Sequence, residues 1–295
     1  MSNKLFCFGY GYSALELAKR LRERGWAISG TIRPSSEGAG EKAGRLRALG
    51  YEVHFLDHAT ALDDPAEILG DVTHIVVSTP PGTEGDVALA LHRTDIAAMK
   101  KLQWLGYLST TGVYGTRDGG TVTEEDPLHP SMPRSQARAD AEAAWMQLRK
   151  DSSVPVHLFR LAGIYGPGRN VLRKIRAGKV EQRIDRPGQV FSRIHVEDIA
   201  TVLEASIRKP RPGGIYNVCD DAPEEPSIVT EYACRLLGAP VPELVPFEQA
   251  EMSPMAQTFW NDNKRVDNSL IKTELGVELR YPDYQTGFQA LLSTL

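Results

Sequence analysis

The amino-acid sequence predicts an α/β fold with a doubly wound parallel sheet, and three observations support this prediction. An apolar run at residues 4–8 leads into a glycine-rich turn at residues 9–14, and an amphipathic helix pattern follows the turn. Residues 73–78 form a continuous run rich in β-branched side chains, which is typical of a strand buried on both faces of a parallel sheet. Strand and helix patterns then alternate to about residue 165, as expected for successive βα units.

Each further element is predicted from its own pattern. Short runs of β-branched and aromatic residues predict strands at 26–32, 53–56, 73–78, 104–109, 154–160 and 214–218. Apolar positions at helical spacing predict helices at 86–101, 136–150, 173–178, 195–208 and 227–237. The proline-rich tail after residue 239 is predicted to be irregular with short elements. We expect a dinucleotide-binding domain of residues 1–166 and 193–219, and a small substrate-binding lobe of 167–192 and 220–295, with the ligand in the crevice between them.

The glycine-rich turn has the GxGxxA spacing of a Rossmann-type dinucleotide site. Gly9 permits the sharp turn, Gly11 removes a side chain that would block a pyrophosphate, and Ala14 lets the helix lie close to the strand. Free amide groups at the helix start would face the phosphates. The predicted cofactor-binding residues here are Gly9, Tyr10, Gly11, Tyr12, Ser13 and Ala14, joined by Thr79 and Pro80 at the carboxyl end of the strand at 73–78. An ordinary glycine turn is the alternative.

The end of the second strand indicates which dinucleotide binds. NAD sites place an acidic residue there, on the adenosine ribose, but this chain has no acid between Glu23 and Glu37. It has Arg33 and Ser35 instead, where the additional phosphate of NADP would lie. We therefore expect NADP in preference to NAD. The alternative is that Arg33 is a solvated surface charge.

Composition excludes several classes of partner. The net charge of −4 and the dispersed basic residues give no general attraction to nucleic acid or to an anionic membrane. The three cysteines are widely spaced and lie among apolar residues, so we expect reduced, buried thiols and a cytoplasmic protein. No histidine or cysteine spacing predicts a metal site, and no run approaches a membrane span.

Several motifs in the same order resemble the extended short-chain dehydrogenase/reductase family, the NAD(P)-dependent epimerases and dehydratases. They are the glycine turn, STTGVYG at 109–115, FRLAGIYGPGRN at 159–170, IHVEDIA at 194–200 and IYNV at 215–218. The resemblance implies a catalytic Ser or Thr together with a Tyr-x-x-x-Lys pair. Thr110 matches the first, but Arg134 stands where Tyr belongs and Arg138 where Lys belongs. Arginine stays protonated at all working pH values, so neither can alternate as acid and base.

The catalytic candidates are accordingly Thr110, Tyr114 and Arg138. Arg138 could still bind the nicotinamide ribose, and Tyr114 is the nearest phenol, with a packing role as its alternative. The dehydratases of the family carry Asp-Glu after the catalytic threonine, whereas this chain has Thr111 and Gly112, so dehydration by that route is not expected.

Substrate contacts are predicted at Arg169, Asn170 and Arg193, which could bind a phosphate or carboxylate, with solvated charge as the alternative. We expect an NAD(P)-dependent oxidoreductase or epimerase-like protein that acts on a small polar substrate, with a nucleotide-linked one as an option, by an atypical mechanism. The alternative is a non-catalytic NADP-binding sensor or partner-binding module. A homodimer, as the family resemblance suggests, is left open.

Overall fold

A computed structural model describes residues 3–253, 257 and 259–295. Its strands are β1 (Lys4–Phe8), β2 (Ala27–Ile32), β3 (Glu52–Phe55), β4 (His74–Val77), β5 (Trp104–Thr110), β6 (Thr121–Val122), β7 (Val156–Leu161), β8 (Gly163–Tyr165), β9 (Gln182–Asp185), β10 (Arg193–His195), β11 (Ile215–Val218), β12 (Glu243–Pro246) and β13 (Arg265–Val266). Seven of them form one sheet in the order β11-β7-β5-β4-β1-β2-β3. The pairs β1–β2, β1–β4, β2–β3 and β4–β5 are parallel. From β1 the chain builds β2 and β3 on one side of β1, and it then returns to add β4, β5, β7 and β11 on the other side. This reversal of strand order at β1 confirms the predicted doubly wound fold.

The α-helices follow the strands in sequence. They are α1 (Tyr12–Glu23), α2 (Ala39–Ala48), α3 (Pro65–Leu69), α4 (Val87–Ala98), α5 (Pro133–Ser152), α6 (Val171–Arg176), α7 (Val196–Arg208), α8 (Pro226–Leu237), α9 (Ser269–Thr273) and α10 (Tyr284–Leu291). Among the residues that the structure describes, none of these helices has the length and apolar character needed to cross a membrane.

The structure differs from the predicted elements in several places. Helix α3 and strands β6, β8 and β9 were not predicted. Helix α2 was not predicted, because two glycines lower the helix propensity of its sequence; it forms by burying Ala39, Ala43 and Leu46. His195 ends β10 instead of starting the following helix, which begins at Val196. The tail after residue 239 contains β12, β13, α9 and α10, so it is more regular than expected.

The first of two compact units comprises Met1–Ser109, Gln136–Arg160 and Ala200–Ile215. A continuous apolar core joins the sheet to α4 and α5, and it includes Phe6, Ile75, Leu105, Trp145 and Leu158. Residues of β4 are buried at every position. This agrees with the β-branched run that predicted a strand covered on both faces.

The second unit comprises Thr110–Ser135, Leu161–Ile199 and Tyr216–Leu295. It contains three two-stranded parallel sheets, β8–β10, β9–β12 and β6–β13. A small core in this unit packs Tyr165, Leu172, Val229, Tyr284 and Phe288 together. The expected division into a dinucleotide-binding domain and a substrate-binding lobe, with its own boundaries, stays a prediction.

Candidate functional site

The glycine-rich turn lies at the carboxyl end of β1 and is attached to the end of β2. Gly9 has φ of +86°, a conformation that favours glycine. Its amide donates to Thr31 Oγ1 at 2.8 Å, and the amide of Tyr10 donates to the Thr31 carbonyl at 2.9 Å. A β-carbon at Gly9 would lie 2.9 Å from Thr79 Cγ2. The turn therefore requires glycine at this position for both backbone conformation and space.

The start of α1 offers backbone donors to an anion. Gly11 is its N-cap residue, no side chain caps the helix, and the first turn holds no acidic residue. A β-carbon at Gly11 would lie 2.2 Å from Ser78 Oγ, so any side chain there would displace the Ser78 hydroxyl from its position beside the helix start. Beside it, Thr79 Oγ1 is buried without a hydrogen-bond partner among the described residues. The positive end of the helix dipole and the unpartnered hydroxyl fit the pyrophosphate of a dinucleotide.

The remaining side chains of the turn hold it in place. Tyr10 is 2% exposed and its hydroxyl donates to the Glu52 carbonyl at 2.8 Å. Burial raises the pKa of this phenol. Ser13 and Ala14 are buried on α1, and Tyr12 is half-buried. A cofactor would accordingly meet mainly the backbone of this segment, with the Tyr10 side chain serving to anchor it.

Two cations lie near the end of β2. Arg33 is exposed and makes no ion pair within the described part of the chain, while the hydroxyl of Ser35 donates to Asp57 Oδ2 at 3.5 Å. Lys42, on α2, donates to the carbonyl oxygen of Tyr10 at 2.7 Å. The sequence analysis missed Lys42 because it did not predict α2. Pro80, after β4, is exposed.

Arg138 is bound to the carboxyl end of β5. Its Nη1 donates to the Leu108 carbonyl at 2.7 Å and to the Tyr107 hydroxyl at 3.2 Å. The guanidinium also lies 5.7 Å from the centroid of the Tyr107 ring. These contacts leave Arg138 half-buried and fix α5 to the strand. Burial raises the pKa of Tyr107, so this phenol stays protonated.

One turn further along α5, Glu142 forms a buried ion pair that the sequence analysis also missed. Its Oε2 lies 2.8 Å from Arg160 Nη2, and both side chains are 4% exposed. The hydroxyl of Ser109 donates to the same carboxylate at 2.5 Å. The signal in the sequence is the spacing of Arg138 and Glu142, four residues apart, which puts both on the helix face that contacts β5.

In the second unit, the threonine and tyrosine of the STTGVYG motif have different environments. Thr110 is half-buried, and its Oγ1 accepts from the Gly112 amide at 3.1 Å. Tyr114 is fully buried, and its hydroxyl donates to Asn217 Oδ1 at 2.7 Å. Of the two predicted catalytic hydroxyls, Thr110 is the accessible one. The geometry of Tyr114 supports its packing alternative.

Arg134 also has a contact of its own. It is exposed, and its guanidinium lies 4.2 Å from the centroid of the Phe259 ring, in a cation–π arrangement. Both arginines at the positions of the Tyr-x-x-x-Lys pair are therefore held by aromatic rings. Neither can act as a phenol would.

The predicted substrate residues are only partly available to a ligand. Asn170 caps α6: its Oδ1 accepts from the Arg173 amide at 2.9 Å and its Nδ2 donates to the Gly166 carbonyl at 2.9 Å. Arg193 donates to the carbonyl of Phe191 at 2.7 Å, and burial lowers its pKa. Arg169 is exposed. The structure thus gives Asn170 and Arg193 internal partners, and their roles toward a substrate stay predictions.

A polar cavity of about 280 Å³ lies within the second unit. It is lined by Thr116, Asp118, Arg186, Pro187, Gln189, Asn261 and Asn263. None of the predicted site residues lines it.

Comparison with known proteins gives the family. The model of the NAD dependent epimerase/dehydratase family matches residues 9–219. Protein YeeZ of Escherichia coli (strain K12) is 28% identical over 286 residues, which cover 95% of this chain and 97% of that protein. A conserved protein of unknown function from Silicibacter pomeroyi DSS has a structure with a TM-score of 0.90 and 45% identity, over 99% of each chain.

A more distant structure shares the fold. The dTDP-glucose 4,6-dehydratase of Bacillus anthracis, solved in complex with NAD, has a TM-score of 0.78 at 20% identity, with 100% of this chain and 96% of that chain covered. The matched residues include the glycine turn, Thr110, Arg138 and β11. On this match, and in agreement with the resemblance found in the sequence, the chain belongs to the NAD dependent epimerase/dehydratase family.

Proposed function

We propose that this protein binds NADP at the glycine turn and acts as an NAD(P)-dependent oxidoreductase or epimerase-like enzyme on a small polar substrate. The observation that carries the proposal is the start of α1, where no side chain caps the helix and glycine occupies both close-packed positions of the turn. A helix start of this kind supplies backbone donors and a positive dipole end to a phosphate.

The preference for NADP depends on Arg33. An exposed guanidinium without a carboxylate partner in the described part of the chain is suited to a phosphate dianion, which it can bind through two parallel hydrogen bonds. The neighbouring hydroxyl of Ser35 is a further donor, although it now contacts Asp57. No acidic residue of the β2 segment is available to select the ribose hydroxyls of NAD.

The chemistry would differ from the usual proton relay of the family. A bound nicotinamide would supply or accept the hydride. Thr110 offers a half-buried hydroxyl that could hydrogen-bond a substrate oxygen, and Arg138 supplies positive charge at the end of β5. Nucleotide-linked sugars are the first substrates to test, because dTDP-glucose is named as the substrate of a protein of the same fold.

Cofactor binding is tested by titrating the purified protein with NADPH and NADH and measuring both dissociation constants by fluorescence. We expect NADPH to bind more tightly, and Arg33→Ala to lower the preference for NADPH by about tenfold, the value of one charge-assisted hydrogen bond. An unchanged NADPH/NADH ratio in Arg33→Ala would contradict the role of Arg33.

A non-catalytic NADP-binding protein is the second candidate, favoured by the contacts of Arg134 with Phe259 and of Arg138 with Tyr107. The two candidates are separated by incubating the protein with NADPH and pooled carbonyl metabolites and, separately, with NADP and nucleotide sugars. Turnover that Thr110→Val abolishes would support the enzyme. Tight NADPH binding without any change in absorbance or in the sugar would favour the binding role.

A further inference from the structure

Lys264, in the second unit, is a buried lysine. It is 8% exposed, and no other lysine is buried in the part of the chain that the structure describes. Its ammonium group donates to Asp262 Oδ2 at 3.3 Å, and it has no other protein partner among the described residues. An ammonium carries three N–H donors, so two of them remain for another acceptor. Because burial makes unused donors costly, the position is suited to an oxygen atom of a ligand.

The Asp262 carboxylate holds the ammonium and is itself held on its other side. Its Oδ1 accepts from the hydroxyl of Ser131 at 2.5 Å, and its backbone carbonyl accepts from Gln189 Nε2 at 2.8 Å. The negative charge of Asp262 balances the positive charge of Lys264. The cluster of Ser131, Asp262 and Lys264 therefore fits a neutral oxygen, such as that of a carbonyl or a hydroxyl group, better than an anion.

The residue before Lys264 fixes the backbone from which the lysine side chain extends. Asn263 Oδ1 accepts from the Val190 amide at 3.1 Å, and its Nδ2 donates to the Gly188 carbonyl at 3.0 Å. Its own carbonyl accepts from the Arg117 amide at 2.8 Å. Asn263 also lines the polar cavity of the second unit. The cluster is thus fixed before a ligand arrives, next in the chain to a residue that a small polar molecule in the cavity would meet.

Two further contacts attach the segment that leads to Lys264 to the residues around Arg134. Asn261 Nδ2 donates to Met132 Sδ at 3.8 Å, and the guanidinium of Arg134 lies 4.2 Å from the centroid of the Phe259 ring. Arg134 occupies the position at which the family resemblance implies a tyrosine. Lys264 therefore belongs to the segment that packs against the site of the replaced tyrosine.

We propose that Lys264 is the general acid–base residue of this protein and exchanges with the substrate the proton that Arg134 cannot exchange. This inference rests on the proposed function, in which a carbonyl compound is reduced or an alcohol is oxidised. In reduction, the Lys264 ammonium gives a proton to the carbonyl oxygen as the carbonyl carbon receives hydride from the nicotinamide, and the neutral amine then takes a proton from water. In oxidation both transfers are reversed.

The charges around Lys264 suit this role. Burial lowers the pKa of Lys264, the charge and hydrogen bond of Asp262 oppose this shift, and the nearby charge of Arg117 adds to it. A general acid or base works best when its pKa is close to the working pH, and a lowered lysine pKa moves in that direction. The guanidinium of Arg134 stays protonated at all working pH values.

The experiment compares Lys264→Arg with Lys264→Met. Arginine keeps the positive charge and can keep the ion pair with Asp262, but it cannot release a proton, whereas methionine keeps only the aliphatic stem. Lys272→Met is the matched control, because Lys272 also pairs with an aspartate of the second unit, Asp221, but is 39% exposed. The NADPH dissociation constant is measured by fluorescence. NADPH oxidation is measured by absorbance with phenanthrenequinone and with pooled carbonyl metabolites as substrates.

We expect both Lys264 variants to lower kcat by about a hundredfold to ten-thousandfold without changing the dissociation constant of NADPH, and Lys272→Met to resemble the wild type. The wild-type kcat for reduction should fall as pH rises through the pKa of Lys264. Asp262→Asn should move this fall to lower pH, because loss of the carboxylate favours the neutral amine. Full turnover by Lys264→Arg would mean that Lys264 supplies only charge, and would overturn the proposal.

The same measurements separate the failure of this inference from that of the proposed function. If the wild type reduces a carbonyl probe and Lys264→Met reduces it equally well, the role of Lys264 alone is refuted. If the wild type binds NADPH but reduces no probe, or does not bind NADPH, the proposed enzyme fails and the role of Lys264 fails with it. Urea denaturation shows whether each variant is folded, and Lys264→Arg decides the outcome if Lys264→Met does not fold.

Discussion

The buried ion pair of Glu142 and Arg160 allows a stability measurement that tests the structure directly. We consider the variant Glu142→Gln. In the wild type, Arg160 donates to Glu142 through Nη2 at 2.8 Å and through Nε at 3.2 Å, and the hydroxyl of Ser109 binds the same carboxylate. The variant keeps the shape of the side chain, but it removes the negative charge and replaces one of the two accepting oxygens by an amide NH2, which cannot accept a hydrogen bond.

The size of the effect follows from burial. Both side chains are 4% exposed, so water cannot replace the lost charge next to the guanidinium. Removing one partner of a buried pair costs about 3–5 kcal/mol of unfolding free energy. Arg93 and Asp151 provide the matched control. Arg93 Nη2 also lies 2.8 Å from Asp151 Oδ2, but the two side chains are 40% and 50% exposed. Asp151→Asn should cost less than about 1 kcal/mol.

The assay is urea denaturation followed by the fluorescence of the tryptophans, one of which, Trp145, is a core residue of α5 itself. We expect Glu142→Gln to unfold at clearly lower urea concentration with an unchanged slope, and Asp151→Asn to resemble the wild type. Replacing both charges, as in Glu142→Leu with Arg160→Met, should recover much of the loss. Equal, small effects of Glu142→Gln and Asp151→Asn would refute the assignment of a buried, charge-dependent pair.

Three further predictions concern the glycines and two buried titratable groups. Gly11→Ala should weaken NADP binding in the NADPH and NADH titrations, because the added β-carbon displaces the Ser78 hydroxyl, 2.2 Å away, and fills space that a pyrophosphate needs beside the helix start. Gly40→Ala, with open space around it on α2, should raise the unfolding free energy in urea denaturation by up to about 1 kcal/mol. Burial raises the pKa of Asp220 to about 8, so between about pH 4 and 8 the native state holds a proton that the unfolded chain has released. The melting temperature should therefore fall as pH rises from about 4 to 8, and Asp220→Asn should make the melting temperature less dependent on pH in this range. Burial lowers the pKa of His157 to about 4, so below about pH 6.5 the unfolded chain takes up a proton that the native state does not. The unfolding free energy should therefore fall as pH falls from about 6.5 to 4, and His157→Gln should shift the midpoint of acid denaturation to lower pH.

Local patterns were enough to predict much of the sheet. The β-branched run of β4 and the apolar runs of β1 and β5 required burial on both faces, and that requirement leads to a parallel sheet covered by helices. Helix α2 escaped prediction because its stability comes from burying one face against the rest of its unit, which overrides the low propensity of its glycines. The position of His195 was mistaken for a similar reason, since pairing with β8 extends the strand up to the helix.

By itself, the sequence determined the glycine turn, the absence of an acid at the end of β2 and the replacement of the Tyr-x-x-x-Lys pair by Arg134 and Arg138. These depend on residue identity, because a missing β-carbon or a missing phenol cannot be supplied by folding. The tertiary structure decided what each side chain contacts. It placed Lys42 against the turn, buried the Tyr114 hydroxyl on Asn217, and gave Arg138 the carbonyl of β5. Those contacts join residues distant in the chain, so no local pattern encodes them.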